Sequence, residues 1–167
     1  MIELKLDETR VTEQFNKLMA GVKNASPLMR IIAGDMMDEV EDNFAQQGRP
    51  KWLGFKYTPS AKRGGSSAKL LQDSGQLASS IQEHSSNDTA VVGTNKVYAA
   101  IHQFGGKTKP HIIRPRNKKA LAFGGRVVKS VNHPGSNIPA RPFLSITPGG
   151  EQKILSHTSQ YLQKLID

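Results

Sequence analysis

An amphipathic helix predicted between Ser26 and Gly48 constrains the fold of this 167-residue sequence more than any other feature. Ser26 is a favourable N-cap, and Pro27 suits the first helical position because its missing amide hydrogen has no partner there. Apolar residues then recur every three or four positions, the spacing of one helix face: Met29, Ile32, Met36, Val40 and Phe44. Gly48 ends the pattern as a left-handed glycine cap. A helix of about five turns with one apolar face must pack against other elements.

Helices at both ends of the chain and antiparallel hairpins between them complete the predicted fold. Further helices are indicated over 8–23 and from Thr147-Pro148 onward, where apolar spacing is again helical. One hairpin is predicted over 78–93, and another where two short apolar runs flank Gly124-Gly125, a turn typical of hairpins. Hairpins need no helical crossover, so we predict an α+β fold, not a parallel sheet. The hairpins are expected to pack against an N-terminal pair of helices and a C-terminal helix.

The composition predicts a single domain over residues 1–167. Two stretches are expected to be mobile loops: the Ser/Gly/Lys-rich segment 54–68 and the basic segment 107–118. No apolar run is long enough to span a bilayer, so we expect no membrane partner. The sequence contains no cysteine, which excludes disulfides and thiolate metal sites and fits a cytosolic protein.

The net charge of +9 is distributed unevenly. Residues 1–48 carry a formal charge of −4, whereas residues 49–148 carry +13. The region 107–129 contains eight basic residues and no acid: Lys107, Lys109, Arg114, Arg116, Lys118, Lys119, Arg126 and Lys129. Three interpretations stay open. The region is a solvated face, a contact for phosphate backbone or an acidic protein, or a surface that pairs with the acidic N-terminal helices of another copy.

Five acids on the predicted helix suggest a paired-carboxylate site: Asp35, Asp38, Glu39, Glu41 and Asp42. They cluster on its polar arc, and no histidine stands nearby in sequence to complete a catalytic pair. We therefore interpret them as a solvated helix face.

The remaining residues give little support to an enzyme, a cofactor or a metal site. Gly106-Lys107-Thr108 mimics the end of a phosphate-binding loop, but Ile101 occupies the position of the required first glycine. The five histidines are dispersed and lack the spacing of metal ligands. His102 is either a lone general base or an imidazole that packs at a helix end and bonds a backbone carbonyl. We favour the second, since a histidine without an orienting partner is a poor catalyst.

Four motifs stand in order along the chain. They are FAQQGxPxW ending at Trp52, LxxSGxLxxSI around Gly75, VGTNxxYAxIHQFGG ending at Gly106, and IPARPFL around Arg141. Together they resemble the phage virion morphogenesis family, the tail-completion proteins of Mu-like and related contractile-tailed phages and prophages. The resemblance covers about residues 26–165. The segment from His111 to Gly135 also resembles a hairpin of related head–tail joining proteins.

The resemblance implies a non-enzymatic structural protein that acts in tail completion or head–tail joining. It further implies an oligomeric ring, with phage tail or head-connector proteins as partners. Such a protein acts in the host cytoplasm during assembly and then stays in the neck or tail end of the virion. The alternative is a nucleic-acid-binding module that uses the basic region 107–129. The structural role and the nucleic-acid contact both apply if the ring has a basic lumen through which DNA passes.

The resemblance implies no catalytic residues. It implies that nine motif residues are structural or interface positions: Trp52, Gly75, Tyr98, His102, Phe104, Gly105, Arg141, Pro142 and Phe143. Trp52 is predicted to anchor the core, and Phe143 to fill it beside Trp52 or Phe44. Gly75 and Gly105 stand where a positive φ is expected. Tyr98 and Phe104 are expected to seat a short helix capped by Thr94 or Asn95. Arg141 is predicted to clamp a carboxylate or backbone carbonyls, within the subunit or at an interface.

Overall fold

The computed structural model describes residues 8–56, 68–123 and 125–167 and has the predicted α+β class. The chain divides into two compact units: a helix-rich unit, Met1–Lys96 with Phe143–Asp167, and an inserted unit, Val97–Pro142. A single domain over 1–167 stays a prediction. The elements in chain order are α1 Thr9–Lys23, α2 Ser26–Ala45, a 3-10 turn Ala78–Ser80, β1 Ile81–Ser85, β2 Ala90–Thr94, α3 Ala99–Phe104, β3 Gly106–Lys107, β4 His111–Ile113, β5 Leu121–Phe123, β6 Arg126–Val128, β7 Val131–His133, β8 Asn137–Ile138 and α4 Pro148–Ile166.

The three long helices of the helix-rich unit lie where apolar spacing predicts them, but their caps differ. Thr147 caps α4 as expected, because its hydroxyl oxygen accepts a hydrogen bond from the Gly150 amide at 3.1 Å. The predicted cap at Ser26 is wrong: α2 begins at Ser26 itself, and Ala25 precedes it without a side-chain cap. The Ser26 hydroxyl lies 3.4 Å from Asn87 Oδ1 instead.

The predicted hairpin over 78–93 forms and packs against α2. Strands β1 and β2 pair in antiparallel register, from Ile81 opposite Thr94 to Ser85 opposite Ala90. The connecting turn closes with a 2.8 Å hydrogen bond from the Ser86 amide to the Thr89 carbonyl. Residues 78–80 form the 3-10 turn instead of the first residues of a strand.

The core of the helix-rich unit is aromatic. Phe143 is fully buried, and its ring centroid lies 5.4 Å from that of Phe44. Trp52 is also buried and meets Phe44 edge-on at 5.9 Å. Such offset and edge-to-face pairs add to the free energy gained by burying the rings alone. Phe44 therefore joins α2 to two segments outside it, one on each side of the inserted unit in the sequence.

The inserted unit is built from nested antiparallel strand pairs after the short helix α3. β3 pairs with β8, β4 with β7, and β5 with β6. The first two pairs share one register, since Gly106 faces Ile138 and His111 faces His133 across the same ladder. Between them the Thr108 amide donates to the Ser136 carbonyl at 2.9 Å, in that register. Residues 106–113 and 131–138 therefore form one two-stranded ribbon.

Two prolines explain why the ribbon is split into short strands. In the shared register Pro110 stands opposite Pro134, and neither has an amide hydrogen to donate to the ladder. Beyond the ribbon, β5 and β6 form the predicted hairpin around Gly125. The expected loop 107–118 thus contains the end of β3 and all of β4, and its mobility stays a prediction. Of the other expected mobile loop, 54–68, residues 57–67 lie outside the described residues.

Candidate interaction surfaces

The predicted structural or interface residues fall into both units. Trp52, Gly75 and Phe143 belong to the helix-rich unit. Trp52 and Phe143 are part of its core, and Gly75 adopts the expected positive φ of +70° in a turn. The other six belong to the inserted unit: Tyr98, His102, Phe104, Gly105, Arg141 and Pro142. The nine predicted residues are therefore divided between the two units.

Helix α3 and the residues just before Phe143 meet inside the inserted unit. The Arg141 amide donates a 2.7 Å hydrogen bond to the His102 carbonyl, so the fourth motif is tied to the third. Gly105 follows α3 with a φ of +72°, and a Cβ there would lie 2.7 Å from the Ala140 amide nitrogen. Only glycine fits this approach without a shift of backbone. Thr94 and Asn95 do not cap α3, whose N-cap is Tyr98 without a side-chain bond.

His102 and Arg141 are held in a partly desolvated setting. Tyr98 meets the His102 ring edge-on, at a centroid distance of 6.1 Å. Burial, with the Arg141 guanidinium as the smaller cause, lowers the pKa of His102, and burial also lowers the pKa of Arg141. His102 Nδ1 is buried and makes no hydrogen bond with the described residues, so it does not bond the backbone carbonyl we expected. This environment favours the neutral imidazole, and no hydrogen bond within the described residues orients its Nδ1.

Phe104 does not seat α3 as predicted, because 78% of its surface is exposed. Val97, just before α3, is 97% exposed, and Tyr98 at its N-cap is also open to solvent. The residue of α3 that is buried is Ala99. Tyr98, Ile101 and Phe104 do lie at helical spacing, but the described part of the chain buries little of the face that they form. Exposed aromatic residues of this kind are frequent at protein interfaces.

All eight basic residues of the region 107–129 are exposed. The whole segment 97–142 contains nine of the 23 basic residues and none of the 14 acids, so it carries the formal charge of +9 and the remaining chain is neutral. Gly106-Lys107-Thr108 is not a phosphate loop, since Gly106 and Lys107 form strand β3. Thr108 is bonded to Ser136 through its amide and, at 2.7 Å, through its hydroxyl.

The acidic face of α2 is only partly a solvated surface: Asp38, Glu41 and Asp42 are exposed, as the sequence-based interpretation expects, but the other two acids are not. Asp35 and Glu39 are buried, with 5% and 8% of their surfaces exposed. Glu39 accepts hydrogen bonds from the Thr147 amide and hydroxyl, both at 2.9 Å, at the N-terminus of α4. Arg49 lies 3.1 Å from the same carboxylate and also bonds Asn43 and Asp42. Burial alone raises the pKa of Glu39, but the Thr147 bonds and the Arg49 charge outweigh it, so the pKa is lowered.

A histidine does reach the acidic face, although none is close to it in sequence. His157 Nδ1 lies 2.7 Å from Asp35 Oδ2, one turn along α4 from Lys153. Lys153 bridges Asp35 at 3.2 Å and Asp38 at 2.7 Å, and these bonds raise its pKa. Four of the five acids are therefore paired inside the chain, which weakens the interpretation that they receive the basic loops of another copy.

Among the described residues, no group of three or more histidines and acids is arranged to hold a metal ion. The described helices also include none with the length and apolar character needed to cross a membrane.

Comparison with known proteins assigns the chain to a family. Residues 6–163 match the phage virion morphogenesis family. The chain belongs to this family. It is 38% identical to Mu-like prophage FluMu G protein 2 of Haemophilus influenzae, with 99% of each chain aligned. It is 27% identical to the putative capsid assembly protein G of Escherichia phage Mu, over 92% of this chain and 83% of the relative.

Membership of the phage virion morphogenesis family establishes a role in virion assembly and a structural protein class. A further relative, FluMu G protein 1 of Haemophilus influenzae, is 30% identical over 98% of this chain. No solved structure matches. In this family member the first and fourth motifs meet through Phe44 and Phe143, within the core of the helix-rich unit. The third and fourth meet at the His102 carbonyl in the inserted unit.

Proposed function

We propose that this protein completes the phage tail or joins it to the head, as a non-enzymatic subunit of an oligomeric ring. The observation that carries the proposal is the family match over residues 6–163, within which the four motifs stand in order. The partners are then phage tail or head-connector proteins. The protein assembles in the host cytoplasm and stays in the neck or tail end of the virion.

Deletion of the gene from a phage or an inducible prophage that encodes the chain tests this role. We expect electron microscopy to show filled heads and separate tails that fail to join, with complementation by the intact gene. The name of the Mu relative concerns capsid assembly, which predicts a different defect: missing or malformed heads. Malformed heads with normal tails, or intact infectious particles, would contradict the proposal.

Within this function, Arg141 is proposed to act as a clamp that supports the assembling surface. The residue is almost buried in the inserted unit, and its amide is bonded to His102. A guanidinium presents a planar fork of donors that a lysine cannot reproduce. We expect Arg141→Lys to reduce joined particles in the complementation assay, whereas exposed Arg116→Lys leaves them unchanged. Normal assembly by Arg141→Lys would refute the clamp without affecting the role in assembly.

The inserted unit supports a second candidate function, contact with nucleic acid. Its ribbon is two-stranded, the eight basic side chains of the region 107–129 are exposed, and its segment contains no acid. A two-stranded ribbon has the dimensions of the DNA major groove, and lysine and arginine neutralise phosphates. The contact is expected to be independent of base sequence and agrees with DNA that passes through a basic ring lumen.

A salt titration of duplex binding separates the two functions. Neutralisation of Arg116, Lys118 and Lys119 to glutamine is expected to reduce the slope of log K against log salt by up to about 3. The matched control neutralises Arg10, Lys17 and Lys164, which are exposed basic residues of the helix-rich unit. The control should retain the wild-type slope. Absence of binding at low salt eliminates the nucleic-acid function, and equal losses in both variants assign binding to net charge alone.

A further inference from the structure

Helix α1 carries an apolar face that no described residue buries. Val11, Phe15, Met19 and Val22 are spaced by four, four and three residues, so they form one stripe along the helix. Their exposed fractions lie between 51% and 64%, and α1 has no buried residue at all. Single exposed apolar residues are ordinary, but a contiguous row of four large ones marks an interaction site.

The contact between α1 and α4 uses a different side of α1. Gln14 Nε2 lies 3.5 Å from the Ile166 carbonyl. Gly21 approaches α4 so closely that a Cβ on it would lie 2.2 Å from Leu165 Cδ1. Gln14 and Gly21 are seven residues apart and therefore share a face, which is offset from the apolar stripe. The helix is thus held by α4, while no residue in the described part of the chain covers the stripe.

The stripe is nearly symmetric about its own centre, and its two ends carry charges of opposite sign. Large side chains, Phe15 and Met19, lie in the middle, and a valine lies at each end. Glu8 precedes the N-terminal end, and Lys23 is the last residue at the C-terminal end. When two such helices cross antiparallel with Phe15 of one opposite Met19 of the other, the first turn, with Glu8, lies beside the last turn of the partner helix, with Lys23, about three residues out of exact register and within reach of the long lysine side chain. The same arrangement brings opposite ends of the helix dipoles together.

We propose that α1 of a second copy of this chain covers the stripe, in an antiparallel and isologous dimer. An isologous contact requires a patch that complements itself, and this stripe does so in both shape and charge. The proposal goes beyond the role in virion assembly and concerns the isolated chain. One helix stripe from each copy is a small interface, so we expect a weak dimer that dissociates at roughly micromolar concentration.

Sedimentation equilibrium of the full chain over a concentration series tests the dimer. Wild type is expected to pass from monomer to dimer, and Phe15→Glu to stay monomeric throughout, with an unchanged circular dichroism spectrum. Val97→Glu is the matched control, because Val97 is a more exposed apolar residue that belongs to the inserted unit and not to α1. It should dimerise like wild type. A wild-type monomer at all concentrations overturns the proposal, and so does self-association that persists in Phe15→Glu.

Charge reversal tests the antiparallel pairing and does not rely on the apolar variant. Glu8→Lys and Lys23→Glu each create two like-charge contacts per dimer and should raise the dissociation constant roughly tenfold. The double variant Glu8→Lys/Lys23→Glu restores both ion pairs and should return the constant to within about twofold of wild type. Failure of the double variant to recover would overturn the pairing and indicate another occupant for the stripe.

Discussion

The helix-rich unit and the inserted unit differ in how their charges are balanced and in which interactions order them. In the former, basic and acidic residues are equal in number, at 14 each, and its buried acids are paired around Arg49, Lys153 and His157. The segment of the latter contains nine basic residues and no acid, and its described residues that are buried are Ala99 and Arg141. An aromatic core orders one unit, and backbone ladders order the other. The difference teaches that charge left unpaired within a segment is available to partners outside it.

The largest expected difference in stability between the two units comes from replacing one phenylalanine in each. Phe143→Ala removes a fully buried ring from the helix-rich core and should cost about 3–5 kcal/mol of unfolding free energy. Phe104→Ala removes an exposed ring in the inserted unit and should change stability by less than about 0.5 kcal/mol. Chemical denaturation measures both. A comparable loss of stability in Phe104→Ala would mean that the Phe104 ring packs against the inserted unit more than its exposed fraction indicates.

Two glycines with nearly equal φ angles probe how tightly each unit is packed. Gly105→Ala places a Cβ against the Ala140 backbone and should cost about 2–4 kcal/mol. Gly75→Ala, in the helix-rich unit, meets nothing within 4 Å and should cost only the backbone strain of about 1 kcal/mol. Thermal unfolding of the two variants provides the comparison. Equal losses of unfolding free energy in the two variants would show that the backbone around Gly105 shifts at little energetic cost.

The acid network of the helix-rich unit should make its stability depend on pH through Glu39. Its pKa is lowered in the fold, so its contribution is present above its usual value of 4.5 and is lost as the pH falls. Glu39→Gln should therefore cost about 1–3 kcal/mol at pH 7, and less in acid. Exposed Glu41→Gln on the same helix is the control, with little effect expected at either pH. A Glu39→Gln cost that does not change with pH would contradict this account.

The smallest expected effect concerns His102 in the inserted unit. Its pKa is lowered from 6.5, chiefly by burial, so the fold prefers the neutral ring and loses stability as the pH falls below that value. Because solvent reaches part of the ring, the loss should stay below about 1 kcal/mol. An NMR titration should place its midpoint below 6.5. A midpoint at or above 6.5 would show that the ring is not desolvated.

Much of the fold follows from local pattern. Apolar spacing predicts the three long helices, and turn chemistry predicts the hairpins around Ser86 and Gly125, because these signals act over a few residues. The pairing of β3 with β8 could not be predicted in this way. Its partners, Gly106 and Ile138, lie far apart in the sequence, and Pro110 and Pro134 hide the strand pattern between them.

The candidate sites were less predictable than the fold. The sequence shows the basic region directly, since the clustering of its charges needs no tertiary information. It does not show that Asp35 and Glu39 lie beside the apolar face of α2, under a helix that begins at Pro148. The partners Thr147, Lys153 and His157 are more than 100 residues away from the acids. A solvated face was therefore the natural interpretation, and it was wrong for Asp35 and Glu39 but not for the exposed Asp38, Glu41 and Asp42.

The sequence by itself determined the α+β class, the long helices and the segregation of positive charge, because each depends on local spacing or on composition, and its four motifs carried the resemblance to the family. The tertiary structure alone decided which charged and apolar residues are covered. It buried Asp35 and Glu39 of α2 under α4 and exposed Phe104. It also placed none of the described residues over the apolar stripe of α1, beside its contact with α4. The physical reason is that a face is buried only if another element of the fold packs on it. Helical periodicity describes the helix that carries the face and does not show which element covers it.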